Sequence, residues 1–264
     1  MREIMSPCPR LKAFVDGPVA RLVIDNPARR NAIDIAMWRA FPVLLGALAQ
    51  EPAVRVVVLG SASGPFSAGA DISEFATERA TPAGSRAYEA ENVRAFEALT
   101  QCPLPVIAAI RGHCFGAGSG LAMSCDLRLA SNDASFAIPA ARLGLGYGVS
   151  GTGRLVATVG HAAAREIMFT ARRYGAQEAL AMGLVHKVLP PDELDRHVQE
   201  IAAGIAANAP LTIAASKTVI NALAVPQGDF AAARAAVEAC MRSEDYIEGR
   251  RAFMEKRTPQ FKGR

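Results

Sequence analysis

The stretch Val106-Ile107-Ala108-Ala109-Ile110-Arg111-Gly112-His113-Cys114-Phe115-Gly116-Ala117-Gly118-Ser119-Gly120-Leu121-Ala122-Met123-Ser124 decides the fold. Val106–Ile110 is short, continuous and apolar, and Pro103 and Pro105 introduce it. Such a run fits a strand covered on both faces, as in a parallel sheet. Gly112–Gly120 reads as a glycine-rich loop leading into Leu121–Ser124. Where a buried strand passes through small residues into a helix, the first helical N–H groups have no intrahelical acceptor. The helix dipole adds positive potential there. Small side chains let a ligand approach the backbone.

The same design stands upstream. Val54–Leu59 is a β-branched apolar run between Pro52 and Gly60. The small-residue loop Ser61–Asp71 follows it, with a short helix starting near Ile72. Two N–H donors from such loops converging on one oxygen would make an oxyanion hole. Plain tight turns are the other reading. A dinucleotide loop fits poorly, because Gly116 and Gly118 are followed by Leu121 where a third glycine belongs. No acidic residue follows a later strand at the required distance either.

Further out, Leu11–Val15 and Val19–Ile24 flank the turn Asp16-Gly17-Pro18 and predict a hairpin. A helix is expected from about Asp34, with Ile35, Trp38, Leu45 and Leu48 on one face and a kink at Pro42. Thr77–Thr100 reads as helical, and Leu127–Ala130 and Ser135–Ile138 as short strands. After Gly151 the texture is helical: Thr152–Val159, Ala162–Phe169, Ala176–Met182, Glu193–Asn208, Leu211–Ala224, Phe230–Met241 and Asp245–Lys256. One strand-like piece, Val185–Leu189, interrupts it. The pattern is an α/β core followed by a helical region.

Composition narrows the class. Of 264 residues, 51% are hydrophobic and 20% charged, enough for a sizeable core. The net charge of +4 is spread out, too weak for nucleic acid but suited to an anionic small ligand. No apolar run reaches the roughly 18 residues of a membrane span. Met1–Leu11 lacks the apolar stretch of a signal peptide, so a cytoplasmic location is expected. The cysteines (Cys8, Cys102, Cys114, Cys125, Cys240) are odd in number without CxxC and read as free thiols. The four histidines form no HExxH or HxH pair, so no metal site is expected.

In order along the chain stand Asn26-Pro27-Ala28-Arg29-Arg30-Asn31-Ala32, Phe66-Ser67-Ala68-Gly69-Ala70-Asp71-Ile72 and Arg111–Gly118 with Leu121–Asp126. Phe169-Thr170-Ala171, Ala179–Val185 and Glu248–Arg257 follow. With these pieces the sequence resembles the crotonase, or enoyl-CoA hydratase/isomerase, superfamily over nearly its whole length. The resemblance implies an α/β crotonase (ClpP-like) fold: a spiral of ββα units over residues 1–200 and a helical trimerisation region over 201–264. It implies a homotrimer or dimer of trimers acting on an acyl-CoA, with CoA entering as part of the substrate and no separate cofactor. Neither nucleic acid nor membrane is an expected partner. Ala70 and Ala117 match the oxyanion donors; position 117 is often glycine in relatives, and alanine keeps the N–H. Ala28, Arg29 and Ala32 would face the adenine, and Ala70, Asp71, Ile72 and Ser73 the pantetheine. Phe253 and Lys256 match positions that help bind CoA, Lys256 through phosphate.

The chain departs from the family at the acid–base positions. Family hydratases carry glutamates where this sequence has Gly120 and Ala140, and the following loop, Gly144-Leu145-Gly146-Tyr147-Gly148-Val149, lacks the aspartate of some isomerases. Tyr147 in Leu143-Gly144-Leu145-Gly146-Tyr147 resembles the methylmalonyl-CoA decarboxylase branch, although that branch has histidine where Ala70 stands. Decarboxylation needs no general base, because loss of CO2 leaves the enolate directly. The expected chemistry is decarboxylation, isomerisation or a non-standard hydration with Tyr147 nearby; the alternative is a non-catalytic acyl-CoA-binding subunit. An RNA-binding role would want a lysine-rich helix. His113 is read as packing, Asp71 and Asp126 as caps, and Cys114 lacks a partner base. Glu74, Glu89 and Glu91 could replace the lost carboxylates if their helices face the pocket.

Overall fold

The computed structural model describes residues 1–225 and 227–264. The chain opens with β1 (Arg2–Ile4), β2 (Leu11–Asp16) and β3 (Val19–Ile24), paired antiparallel in sequence. Asp34 caps α1 (Ile35–Ala49) by accepting the Met37 N–H at 2.9 Å. α1 crosses to β4 (Val56–Ser61), and α2 (Phe75–Glu78) and α3 (Pro82–Gln101) cross to β5 (Val106–Ile110). β6 (His113–Phe115), α4 (Ala117–Ser124), β7 (Leu127–Ser131), β8 (Ser135–Ala137) and α5 (Val149–Thr170) follow. Then come β9 (Tyr174–Gly175), α6 (Ala176–Ala181), β10 (Lys187–Leu189), α7 (Pro191–Ala206), α8 (Pro210–Leu223), α9 (Phe230–Met241) and α10 (Glu244–Glu255). The large sheet runs β1-β2-β3-β4-β5-β7-β10, parallel from β3 onward; the small one runs β6-β8-β9.

The apolar runs are strands because both faces of the large sheet are covered. Side chains alternate across a strand. Val57, Leu59, Val106, Ala108 and Ile110 enter the main core with Trp38, Phe41, Tyr88 and Phe96. Val56, Val58 and Ile107 point the other way, against Leu194, Val198 and Ala202 of α7. Those three recur every four residues, the spacing of one helical stripe. Residue 200, the expected boundary, lies inside α7 and so within the helix that covers the sheet.

Four local expectations change. The Gly112–Gly120 loop contains β6, and its helix starts at Ala117 rather than Leu121. Cys114 on β6 bridges to Ser67, and β6 pairs with β8, so tertiary partners supply the ladder that composition conceals. A second late strand, β9, adds two residues beside β8. Pro42 lies in an α1 that continues unbroken to Ala49; packing of Met37, Trp38, Phe41, Leu44, Leu45 and Leu48 outweighs one missing hydrogen bond. The two helices expected around residue 160 abut as α5, separated by Gly160 at φ 75°.

α8 is tied to the core by a buried charge. Lys217 Nζ donates to Asp126 Oδ2 at 2.7 Å and to the Leu104 carbonyl at 3.1 Å. Asp126 also accepts the Val106 N–H at 2.7 Å, so its capping reading agrees with the structure. Beyond this tie the helical region leaves Ile220, Leu223, Met241, Ile247, Phe253 and Met254 exposed.

Tyr88 makes the fold sensitive to alkali. Its hydroxyl accepts the Trp38 Nε1–H at 3.1 Å, and burial pushes its pKa from 10.0 to about 12, against a smaller lowering by that hydrogen bond. The unfolded phenol ionises first. The stabilisation is therefore complete below pH ~10 and is lost as pH rises through about 12. We expect wild-type stability to fall by about 2–3 kcal/mol across that window. Denaturant unfolding of Tyr88→Phe should show a flatter alkaline limb; an unchanged limb would exclude Tyr88 as its source.

Candidate active site

Two loops build one floor. The Ser67 N–H donates to the His113 carbonyl at 2.9 Å, and the Phe115 N–H to the Ser67 carbonyl at 3.0 Å. This zips the segment after β4 to the segment after β5. The fit is tight: a Cβ on Gly118 would lie 2.8 Å from the Ser67 Cβ, and one on Gly69 would lie 3.1 Å from the Phe115 carbonyl oxygen and 3.7 Å from the Ala117 nitrogen. Gly69 also has φ +109°, open to glycine alone. Ala117 is the first residue of α4, after Gly116 at φ 48° and ψ −113°. Its N–H belongs to the helix donors that lack an intrahelical acceptor. Among the described residues, neither the Ala70 nor the Ala117 N–H donates a hydrogen bond.

Above these donors is a cavity of about 150 Å³. Ala70, Ala117 and Tyr147 all line it. Tyr147 donates to the Gly116 carbonyl at 3.3 Å, and its ring abuts Gly151, where a Cβ would lie 2.7 Å from Cε1. Burial holds its hydroxyl proton well above the ordinary phenol range. Tyr147 is therefore a neutral donor, not a base. Ala140 lines the cavity as well, without a carboxylate. Gly120 does not line it: a Cβ there would meet the Phe96 Cζ at 2.5 Å, so the Phe96 ring occupies the space.

α3 supplies the wall that the sequence left open. Glu89, Asn92, Val93 and Phe96 line the cavity at i, i+3, i+4 and i+7, one face of a helix. Asn92 Nδ2 is buried without a hydrogen-bond partner. The other two candidate carboxylates are engaged elsewhere. Glu74 accepts the Ile35 N–H at 2.9 Å, and burial raises its pKa. Glu91 faces Arg39 at 3.4 Å and Arg94 at 3.3 Å. Arg79, which the sequence reading did not single out, also lines the cavity, 4.7 Å above the Phe75 ring and 5.5 Å from that of Tyr88. The helical spacing 89/92/93/96 was visible in the sequence. What was missing was the direction in which that face points.

The segment around residues 28–33 lies beside the first loop. The Ala68 N–H donates to the Arg30 carbonyl, and the Asp71 N–H to the Ile33 carbonyl. Arg29 Nη1 reaches Asp71 Oδ1 at 3.2 Å, and Asp71 caps the Ser73 N–H at 3.0 Å. Ala28, Arg29, Ala32, Asp71 and Ser73 thus gather at one edge, with Ile72 exposed at the cavity lip. Phe253 and Lys256, near the end of α10, are exposed and do not line this cavity. His113 bonds Ser135 Oγ through Nδ1 at 3.0 Å and stacks on Phe115, in keeping with packing. Burial pushes the Cys114 thiol up to about 12, far from a nucleophile's range. Among the described residues no cluster of His, Cys, Asp or Glu could hold a metal ion, and no helix is long and apolar enough to cross a membrane.

Comparison with known proteins places these features in context. A family model described as enoyl-CoA hydratase/isomerase matches residues 15–264. The chain is 38% identical over 245 residues to the short-chain-enoyl-CoA hydratase of Clostridium acetobutylicum, covering 92% of this chain and 93% of that one. It is 35% identical over 266 residues to the peroxisomal Delta(3,5)-Delta(2,4)-dienoyl-CoA isomerase of Arabidopsis thaliana, covering 95% of each. A crystal structure of an enoyl-CoA hydratase/isomerase family protein from Hyphomonas neptunium superposes with a TM-score of 0.92 at 34% identity, covering 98% of this chain and all of that one.

Proposed function

The chain belongs to the enoyl-CoA hydratase/isomerase family, and on that premise we propose that it works on an acyl-CoA thioester through an enolate held by the Ala70 and Ala117 N–H groups. The observation that carries the reading is the pair of unpartnered N–H groups on two interlocked loops at the cavity floor. When the carbon next to a thioester loses a proton or CO2, negative charge builds on the carbonyl oxygen. Fixed donors that fit the enolate better than the ketone lower that barrier, each by roughly two to three orders of magnitude.

The reaction built on the enolate is decarboxylation, double-bond isomerisation or a hydration that does not use the family's glutamate pair. Gly120 and Ala140 leave no carboxylate at those places. Tyr147, kept protonated by burial, orients the acyl group by turning its one hydroxyl proton from the Gly116 carbonyl, 3.3 Å away, to the acyl oxygen. Arg79, lining the cavity with no ion-pair partner among the described residues, offers a counter-charge to a carboxylated acyl chain. Malonyl-type esters therefore come first for testing. The 28–32 segment would contact the adenine, Asp71, Ile72 and Ser73 the pantetheine, and Phe253 and Lys256 the CoA phosphates. The exposed apolar side chains of α8–α10 support burial between copies, as a homotrimer or a dimer of trimers. Native mass spectrometry should give three or six chain masses, and a monomer at micromolar concentration would remove this assembly.

The direct test is mass spectrometry of enoyl, hydroxyacyl and malonyl-type CoA esters incubated with the protein in deuterated water. Loss of CO2, or deuterium uptake without hydration, supports the enolate reading. Brisk addition of water to an enoyl ester would show that other groups replace the paired glutamates. CoA binding with no change in any ester would move the protein to a non-catalytic role.

A further inference from the structure

From the α3 wall of the cavity we infer that Glu89 is the group that carries the proton to and from the acyl carbon. The inference rests on the enolate reading above and names the acid–base residue that reading lacks. Three observations place it. Glu89 lines the same cavity as Ala70, Ala117 and Tyr147. Its carboxylate lies against Gly148, the residue after Tyr147, so closely that a Cβ on Gly148 would collide with Oε1. Among the described residues it has neither an ion pair nor a hydrogen bond, whereas Glu74 and Glu91 are both engaged elsewhere.

The neighbours support the assignment. One turn along α3, Asn92 lines the same cavity, and its Nδ2 is buried without a hydrogen-bond partner. Another turn along, Phe96 closes the space beside Gly120. The helix that blocks the family's first glutamate position thus presents a carboxylate of its own. Tyr147 cannot do this work, since burial makes its phenolate costly. The Glu89 side chain is exposed on its outer side and can exchange its proton with water.

The step balances with no reactant beyond water. A Glu89 carboxylate oxygen takes the proton from the carbon next to the thioester. The C–H electron pair becomes the enolate C=C bond, and the carbonyl pair moves onto the oxygen held by the Ala70 and Ala117 N–H groups. On return the carbon takes a proton back from the Glu89 carboxyl. After CO2 loss, where no proton has come from the substrate, the Glu89 carboxyl takes one from water and passes it to the enolate carbon.

Exchange of α-hydrogens in acetyl-CoA and butyryl-CoA in deuterated water tests this, because it needs enolate formation and nothing more. Wild type should incorporate deuterium. Glu89→Gln should lower the exchange rate roughly a hundredfold or more, the usual yield of a general base. Affinity for a non-reactive CoA thioether and the melting temperature should hold, since no bond of the fold is lost. Glu89→Asp should recover part of the rate. Gly148→Ala, which displaces the carboxylate without removing its charge, should lower exchange. Glu91→Gln, away from the cavity, should not. If wild type and Glu89→Gln exchange equally, Glu89 is not the base and the enolate reading survives. If wild type exchanges neither ester, Glu89 takes no proton from the acyl carbon and its assignment fails; the enolate reading then stands or falls on CO2 loss from a malonyl-type ester.

Discussion

Gly120→Glu is expected to destabilise the folded chain by about 5 kcal/mol or more and to confer no hydratase activity. The substitution restores the residue that family hydratases carry, so the family resemblance alone would lead one to expect a gain. The packing says otherwise. A Cβ at residue 120 would sit 2.5 Å from Phe96 Cζ and 3.0 Å from Cε1. The ring cannot swing away freely: Trp38 meets it edge-on at 5.6 Å, and the Arg154 guanidinium lies 5.6 Å from its centre. Overpacking of this kind costs roughly 1–3 kcal/mol, and a carboxylate without a partner among apolar groups adds several more. Phe96→Ala opens the space but itself costs roughly 3–5 kcal/mol. In the double variant the glutamate should therefore cost at least ~2 kcal/mol less than it does alone, a coupling that urea unfolding of all four species would measure. Wild-type stability for Gly120→Glu would mean that Phe96 yields readily, and that the α3 wall is not fixed as described.

Phe96 and Gly120 also show what a sequence can and cannot disclose. The loss of the glutamate at residue 120 was plain from the chain alone. Its replacement by a ring was not, because residues 96 and 120 lie on different helices and meet only through packing. The large sheet was legible for the opposite reason. Val56–Leu59 and Val106–Ile110 are buried on both faces, and that burial leaves an unbroken apolar run. β6 was hidden: its three residues sit in a glycine-rich stretch, and only pairing with β8 and the bridge to Ser67 make them a strand. Glu89 stood between these cases. Its spacing to Asn92, Val93 and Phe96 marked one helical face, and nothing local stated whether that face met the cavity or the solvent.

The largest catalytic effect should come from Ala117→Pro. The variant removes one N–H and nearly nothing else that the fold uses. Ala117 is the first residue of α4, where the N–H has no intrahelical acceptor and proline's fixed φ suits the helix. Gly116 precedes it, and a glycine there relaxes the restriction that proline places on its neighbour. Folding should therefore survive, as thermal unfolding can check. If the Ala117 N–H holds the developing oxyanion, turnover or α-hydrogen exchange should fall by about 10²–10³-fold, equivalent to roughly 3–4 kcal/mol of transition-state stabilisation. The affinity for a saturated acyl-CoA should change far less, because the ketone oxygen carries little of the charge that the donor stabilises. Ala117→Gly keeps the N–H and should keep the rate. The contrast between the two variants separates the loss of a donor from the loss of a methyl group. A proline variant that is folded and fully active would take Ala117 out of the oxyanion site. The Tyr147 hydroxyl, whose bond to the Gly116 carbonyl is a long 3.3 Å, would then be the next donor to test beside Ala70.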